Sequence, residues 1–211
     1  MKKEYTHISI VLDKSGSMLS CLNDTVGGFN SFLKAQKEVD GEATITLVQF
    51  NESYDIAIDM KPLSESSDLN NQSYRPHGNT ALLDAIGKTI NDVESKINDM
   101  DEDQQPEKVI FVIITDGEEN ASREFKHENV MEMINRHKEE NKWEFVFIGA
   151  NQDSIQTGSL IGVRAGSTLN YIQTPAGTKD MYASLTRGMA NYRSKSVIDS
   201  ADVDFFDAET D

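Results

Sequence analysis

Apolar positions along the chain fall into two kinds of run. YTHISIVL (5–12), KVIFVIIT (108–115) and WEFVFIGA (143–150) are nearly unbroken, the pattern of central parallel strands covered by helices on both faces. ATITLVQF (43–50) and SYDIAIDM (53–60) alternate instead. Asn51-Glu52 between them has the length and chemistry of a tight hairpin, so these two strands are predicted to pair antiparallel. Helical spacing takes over elsewhere: Phe29, Phe32 and Leu33 recur within a helix predicted over 20–38, and TALLDAIGKTINDVESKI predicts an amphipathic helix over 80–97, opened by Thr80. Further helices are predicted at 123–140, 152–162 and 177–194, with a weak strand near 164–171. Strand and helix alternate through the second half, which predicts an α/β fold built on a mostly parallel sheet.

Three polar stretches interrupt the pattern. Residues 61–78 hold Pro62, Pro76 and several serines and read as a long surface loop; NDMDEDQQPEK (98–108) reads as a solvated turn. VIDSADVDFFDAETD (197–211) holds six carboxylates and no basic residue, so it reads as a disordered tail with Phe205 and Phe206 exposed. The expected organisation is one domain over 1–196 followed by a flexible acidic tail over 197–211.

At 211 residues and 37% hydrophobic content, the chain can bury one sizeable core. Its net charge of −16 would repel nucleic-acid backbones and anionic membranes, which leaves cations and basic proteins as better partners. The first apolar run is broken by His7 and stopped at Asp13, so neither a secretory leader nor a membrane span is expected. Cys21 is the single cysteine, read as a buried structural thiol in a reducing compartment, and a cytoplasmic location is expected. The four histidines show no metal-ligand spacing and are expected on the surface or in loops.

The chemistry concentrates where strands end. VLDKSGSMLS (11–20) sets Asp13, Ser15 and Ser17 directly after the first strand; HGNTALLDA (77–85) and TDGEEN (115–120) are also rich in oxygen donors. Loops at the carboxyl ends of parallel strands share one rim, so Asp13, Ser15, Ser17 and Asp116 can converge there, with Thr80 brought in by the long loop. Small oxygen donors of this kind suit a hard divalent cation, because hydroxyls add coordination without adding charge. Gly16 is expected to let the backbone turn between Ser15 and Ser17. Lys14 cannot ligate a cation and is read either as a solvated rim residue or as one supporting the ligands from behind. Gly78, Asn79, Glu118, Asn151 and Asp153 are the other rim candidates, with helix capping an equal alternative for Asn151 and Asp153.

LDKSGSM, GNTALLDA and TDGEEN, in this order and over these strands, resemble the metal-ion-dependent adhesion site of von Willebrand factor type A domains. Asp13, Ser15 and Ser17 match that family's DxSxS pattern, Thr80 its distal threonine and Asp116 its second aspartate. The resemblance runs from about residue 5 to 194, includes the hairpin, and with FIGANQD (147–153) extends to bacterial and phage single-domain members. It implies a Rossmann-like, doubly wound sheet of six strands, mostly parallel with one antiparallel edge strand and helices on both faces. It also implies bound Mg²⁺ or Mn²⁺, with Ca²⁺ as a further option, and a protein partner whose Asp or Glu completes the coordination. It implies no catalysis; a scaffold role in a multiprotein assembly is the concrete expectation.

Two other readings stay open. A phosphatase of the haloacid-dehalogenase class also places an aspartate nucleophile after its first strand and holds Mg²⁺, which would make Asp13 the nucleophile. That chemistry needs a carboxylate two residues on as general acid, and position 15 is serine. A purely structural part in a larger particle is the other. Beyond the family, the tail's carboxylates could enter the cation site in cis or in trans, giving autoinhibition or self-association.

Overall fold

A computed structural model describes residues 1–150, 154–195 and 204–206. Six strands, β1 (Lys2–Asp13), β2 (Glu42–Phe50), β3 (Tyr54–Pro62), β4 (Pro106–Thr115), β5 (Glu144–Ala150) and β6 (Thr168–Tyr171), form one sheet in the order β3-β2-β1-β4-β5-β6. Every neighbouring pair is parallel except β2 with β3, the hairpin. Helices α1 (Leu22–Lys37), α2 (Leu82–Asn98), α3 (His127–Glu140), α4 (Ser154–Leu160) and α5 (Pro175–Ser194) complete the domain. This is the mostly parallel α/β sheet expected from the run pattern, in the doubly wound arrangement that the resemblance implies. None of the described helices is long and apolar enough to cross a membrane.

The unbroken apolar runs are explained by covering on both faces. Ile8, Ile10, Leu12, Val112, Ile114, Val146 and Ile148 point to one side and pack with Phe29, Phe32 and Leu33 of α1 and Met181, Leu185 and Met189 of α5. Val11, Phe111, Ile113, Phe145 and Phe147 point to the other and pack with Ile86, Ile90 and Val93 of α2 and Val130 and Ile134 of α3. Each such side chain contributes roughly 1.5–3 kcal/mol by leaving water. The Tyr182 ring of α5 packs against α1 so closely that position 28 has no room for a side chain: a Cβ on Gly28 would lie 2.1 Å from it.

Several helix starts differ from the sequence expectation, and each difference has a hydrogen-bonding cause. α2 begins at Leu82 rather than Thr80, because its first N–H groups are capped from outside: Leu83 N donates to Glu119 Oε2 (3.0 Å) and Asp84 N to Ser122 Oγ (3.0 Å). Helix α3 begins at His127 rather than 123, because the N–H groups of Arg123, Glu124 and Phe125 donate to the Asp84 carboxylate at 2.8–2.9 Å. A 3-10 turn (Gly16–Cys21) precedes α1, and α5 starts earlier, at Pro175, with Thr174 as its cap. The loop over 61–78 is not wholly on the surface, since Leu63, Leu69 and Tyr74 are buried in it.

Two expectations on exposure are corrected. His7 and His137 are fully buried: His7 Nδ1 lies 2.9 Å from Thr44 Oγ1, and His137 stacks on Trp143. Burial holds His7 at a pKa of about 3, so it is neutral. Phe205 is also buried, against Gly188 and Tyr192 of α5, and Phe206 N donates to Gly166 O at 3.0 Å. These described tail residues therefore dock near the start of β6, at the end of the sheet away from the rim where β1 and β4 finish.

Candidate metal centre

Register brings the site together. Leu12 pairs with Ile114, and Asp13 with Phe50, so β1, β2 and β4 all end at one rim with Asp13 beside Thr115. Asp13 is fully buried; its Oδ1 accepts from Ser15 N (2.6 Å) and its Oδ2 from Thr115 Oγ1 (2.6 Å). Burial pushes its carboxyl up to about 6 despite those bonds. Ser15 Oγ lies 3.0 Å from Ser17 Oγ, which donates to Asp116 Oδ1 at 2.5 Å. Burial raises the Asp116 carboxyl as well.

Thr80 reaches the same place from the long loop. Its hydroxyl does not cap α2; the backbone around it is held by Asn120, whose Oδ1 accepts from Thr80 N (2.9 Å) while Asn120 N donates to Thr80 O (3.0 Å). A Cβ placed on Gly117 would lie 3.0 Å from Thr80 Oγ1, 3.6 Å from Ser17 Oγ and 3.8 Å from Ser15 Oγ. Three hydroxyls from two segments thus converge on one small space beside a third, kept open because residue 117 has no side chain, with Asp116 alongside. Among the described residues no three His, Cys, Asp or Glu side chains cluster as a metal site, so this donor set combines hydroxyls with only two carboxylates. That composition fits a hard divalent cation that keeps room for an outside oxygen.

The remaining rim candidates divide. Gly78 adjoins the site: its carbonyl accepts from Gly16 N (3.0 Å) and its φ of +78° favours glycine, while Asn79 Nδ2 donates to Glu52 Oε1 of the hairpin turn. Gly16 has no left-handed φ; it serves close apposition to Gly78 rather than the turn expected of it. Lys14 is buried, not solvated, and pairs with Asp55 at the start of β3. Glu118 is exposed. Asn151 and Asp153 lie outside the described residues. Cys21 is buried, with its thiol raised by burial, as a structural cysteine should be.

Sequence reasoning missed the residues that hold the ligand loops in place. Tyr74 donates to Asp13 O at 2.6 Å, Asn51 Nδ2 to His77 O at 2.8 Å, and Gln173 Nε2 to both Asp116 Oδ2 and Ser17 O. Asn120 closes the TDGEEN motif and Asn51 lies in the hairpin turn, but nothing in local sequence connects Tyr74 or Gln173 to the site.

The von Willebrand factor type A domain profile matches residues 7–193. The chain belongs to this family. No curated protein sequence matches it significantly. Among solved structures, this von Willebrand type A domain is similar to the vWF domain of the type V pili tip protein Mfa5 from Porphyromonas gingivalis, with a TM-score of 0.65 and 10% identity over 90% of this chain and 97% of that one. It is also similar to a von Willebrand factor type A protein from Catenulispora acidiphila (TM-score 0.55, 13% identity, 90% of this chain, 42% of that one). A third is proximal thread matrix protein 1 from the mussel byssus, whose MIDAS motif is occupied by zinc (TM-score 0.59, 11% identity, 88% and 46%). Identities this low show the shared fold. The domain spans about half the length of several of the chains it matches. Von Willebrand type A domains generally mediate protein interactions through a divalent metal.

Proposed function

We propose that this domain is a metal-dependent protein-binding module. Asp13, Ser15, Ser17 and Thr80 hold a divalent cation, directly or through water, Mg²⁺ first with Mn²⁺ or Ca²⁺ as alternatives, and Asp116 acts on it from outside the direct ligands. A partner's Asp or Glu carboxylate completes the site. The observation that carries this reading is the convergence of the Ser15, Ser17 and Thr80 hydroxyls on the space beside Gly117.

When bound, the cation supplies an electrophilic centre to which a carboxylate is drawn. The chain's own residues prepare it: Ser15 N–H and the Thr115 hydroxyl aim Asp13, and Asn120 and Gly78 hold the two loops that face each other. Few anionic donors leave the cation net positive, so it can attract an acid to a chain whose own charge of −16 would otherwise repel it. A role without catalysis is supported by Ser15, which stands where a phosphatase would need an acid. Pilus and matrix proteins among the similar structures support an adhesive or scaffold use. The single buried thiol supports a reducing, cytoplasmic setting. Residues 204–206 dock on α5 at the end of the sheet away from the rim, which speaks against their entering the cation site in cis.

Gly117→Ala tests the reading, since its methyl would occupy the space between the hydroxyls. Cation at a hundredfold excess over its Kd stabilises by about 2.7 kcal/mol, roughly 5–10 °C in Tm for a chain of this size. The wild type should show such a rise in Mg²⁺ or Mn²⁺, reversed by EDTA. The variant should keep the metal-free Tm and lose the rise. A wild type that responds to none of Mg²⁺, Mn²⁺ or Ca²⁺ overturns the proposal.

A further inference from the structure

We propose that Gln173 withholds Asp116 from direct coordination and thereby reserves one corner of the metal centre for a partner's carboxylate. The inference rests on the metal-binding reading above and assigns a residue that lies outside the matched motif.

Gln173 sits between β6 and α5, in a corner fixed by Tyr171 at the strand end and by Thr174, which caps α5. Its amide Nε2 donates to Asp116 Oδ2 and to Ser17 O (3.1 Å), with Cys21 Sγ at 3.6 Å. Ser17 Oγ donates to the other oxygen, Asp116 Oδ1, at 2.5 Å. Both oxygens of Asp116 therefore have protein donors, and neither donor carries charge. The carboxylate is held in one orientation without being neutralised, so its charge acts across a distance rather than through a bond.

Removing the Gln173 amide leaves Oδ2 bare beside a site built to hold a cation. Asp116 then gains by turning toward the cation and supplying a second anionic ligand. Two consequences run in opposite directions. Cation affinity rises, because a carboxylate replaces a water. Affinity for an outside carboxylate falls, because the cation is less positive and one corner is filled. A residue that merely props the site would move both downward.

Mn²⁺ is the probe, since its paramagnetism reports both occupancy and the number of bound waters. Gln173→Met keeps the length of the side chain and removes the donor; Gln173→Ala is the second variant. Titration followed by electron paramagnetic resonance gives the Mn²⁺ Kd, water-proton relaxation gives the waters on the bound ion, and acetate serves as the outside carboxylate. Expected for both variants is Mn²⁺ binding tighter by about tenfold, the worth of one released charge-assisted hydrogen bond. About one fewer bound water and an acetate affinity lower by a similar factor should accompany it. Unchanged water count, or Mn²⁺ binding weaker by the roughly 10–100-fold usual when an outer-shell support is lost, overturns the proposal. Failure of the wild type itself to bind Mn²⁺ overturns the metal-centre reading instead, so the two failures are distinguishable.

Discussion

Asp13→Asn should make the metal-free protein more stable while ending its response to metal. The Asp13 carboxyl is fully buried, and its pKa rises from an ordinary 3.8 to about 6 because burial outweighs the bonds from Thr115 and Ser15. A raised folded-state pKa means that the native state binds the proton more tightly than the unfolded chain. The resulting penalty is absent below about pH 4, grows through pH 4–6 and is complete above pH 6. About two pH units at about 1.4 kcal/mol each amount to about 3 kcal/mol at pH 8. Asparagine matches the protonated acid in shape and charge. Its Oδ1 can still accept from Ser15 N, and its Nδ2 can donate to Thr115 Oγ1, whose own proton turns to Gly117 O at 3.1 Å. Urea unfolding followed by the fluorescence of Trp143, the single tryptophan, measures the difference. With m of about 2–3 kcal/mol/M, the midpoint in EDTA at pH 8 should rise by about 1–1.5 M, and the gain should vanish at pH 4. Equal midpoints at pH 8, or a gain that persists unchanged at pH 4, would refute the burial argument. A Mg²⁺-induced shift in the variant as large as the wild type's would refute the placement of the cation at Asp13.

Three further outcomes follow from the fold. His7, neutral with a folded pKa of about 3 against 6.5 unfolded, binds fewer protons folded than unfolded between those values, so it should cost stability as pH falls from 6.5 toward 3. The slope is up to about 1.4 kcal/mol per pH unit, and His7→Gln should flatten the acid limb of a stability–pH curve. Asp84→Ala removes the acceptor for three backbone N–H groups at 2.8–2.9 Å and should destabilise by about 3 kcal/mol in urea. Hydrogen exchange should speed up first at residues 123–125. Gly28→Ala puts a Cβ 2.1 Å from the Tyr182 ring and should cost about 1–3 kcal/mol by forcing α1 from α5, read as a lower Tm with the metal response preserved.

The runs at 5–12, 108–115 and 143–150 were legible as central strands because burial on both faces is written locally, in stretches dense in apolar residues with few polar interruptions. The hairpin at Asn51-Glu52 was legible for a similar reason, since a tight turn is a local event. Helix starts were less legible. Thr80 looks like a cap, yet the caps of α2 come from Glu119 and Ser122, and the start of α3 is delayed by Asp84. Such donors and acceptors meet only after the chain has folded back on itself. His7, His137 and Phe205 were misplaced on the same grounds: a polar or tail residue becomes buried when a distant helix or strand covers it.

By itself the sequence determined the α/β class, the one antiparallel strand, and the identities of the oxygen donors after β1, after β4 and in the long loop, because strand runs and short motifs are properties of neighbouring residues. Only the tertiary structure decided that three hydroxyls meet beside Gly117, that Lys14 turns away to Asp55, and that Gln173 grips Asp116 from 57 positions along the chain. Those depend on parallel register, which aligns strand ends that helices and loops keep far apart in sequence. Distances between such ends are set by the packed sheet and helices together and are written in no single segment.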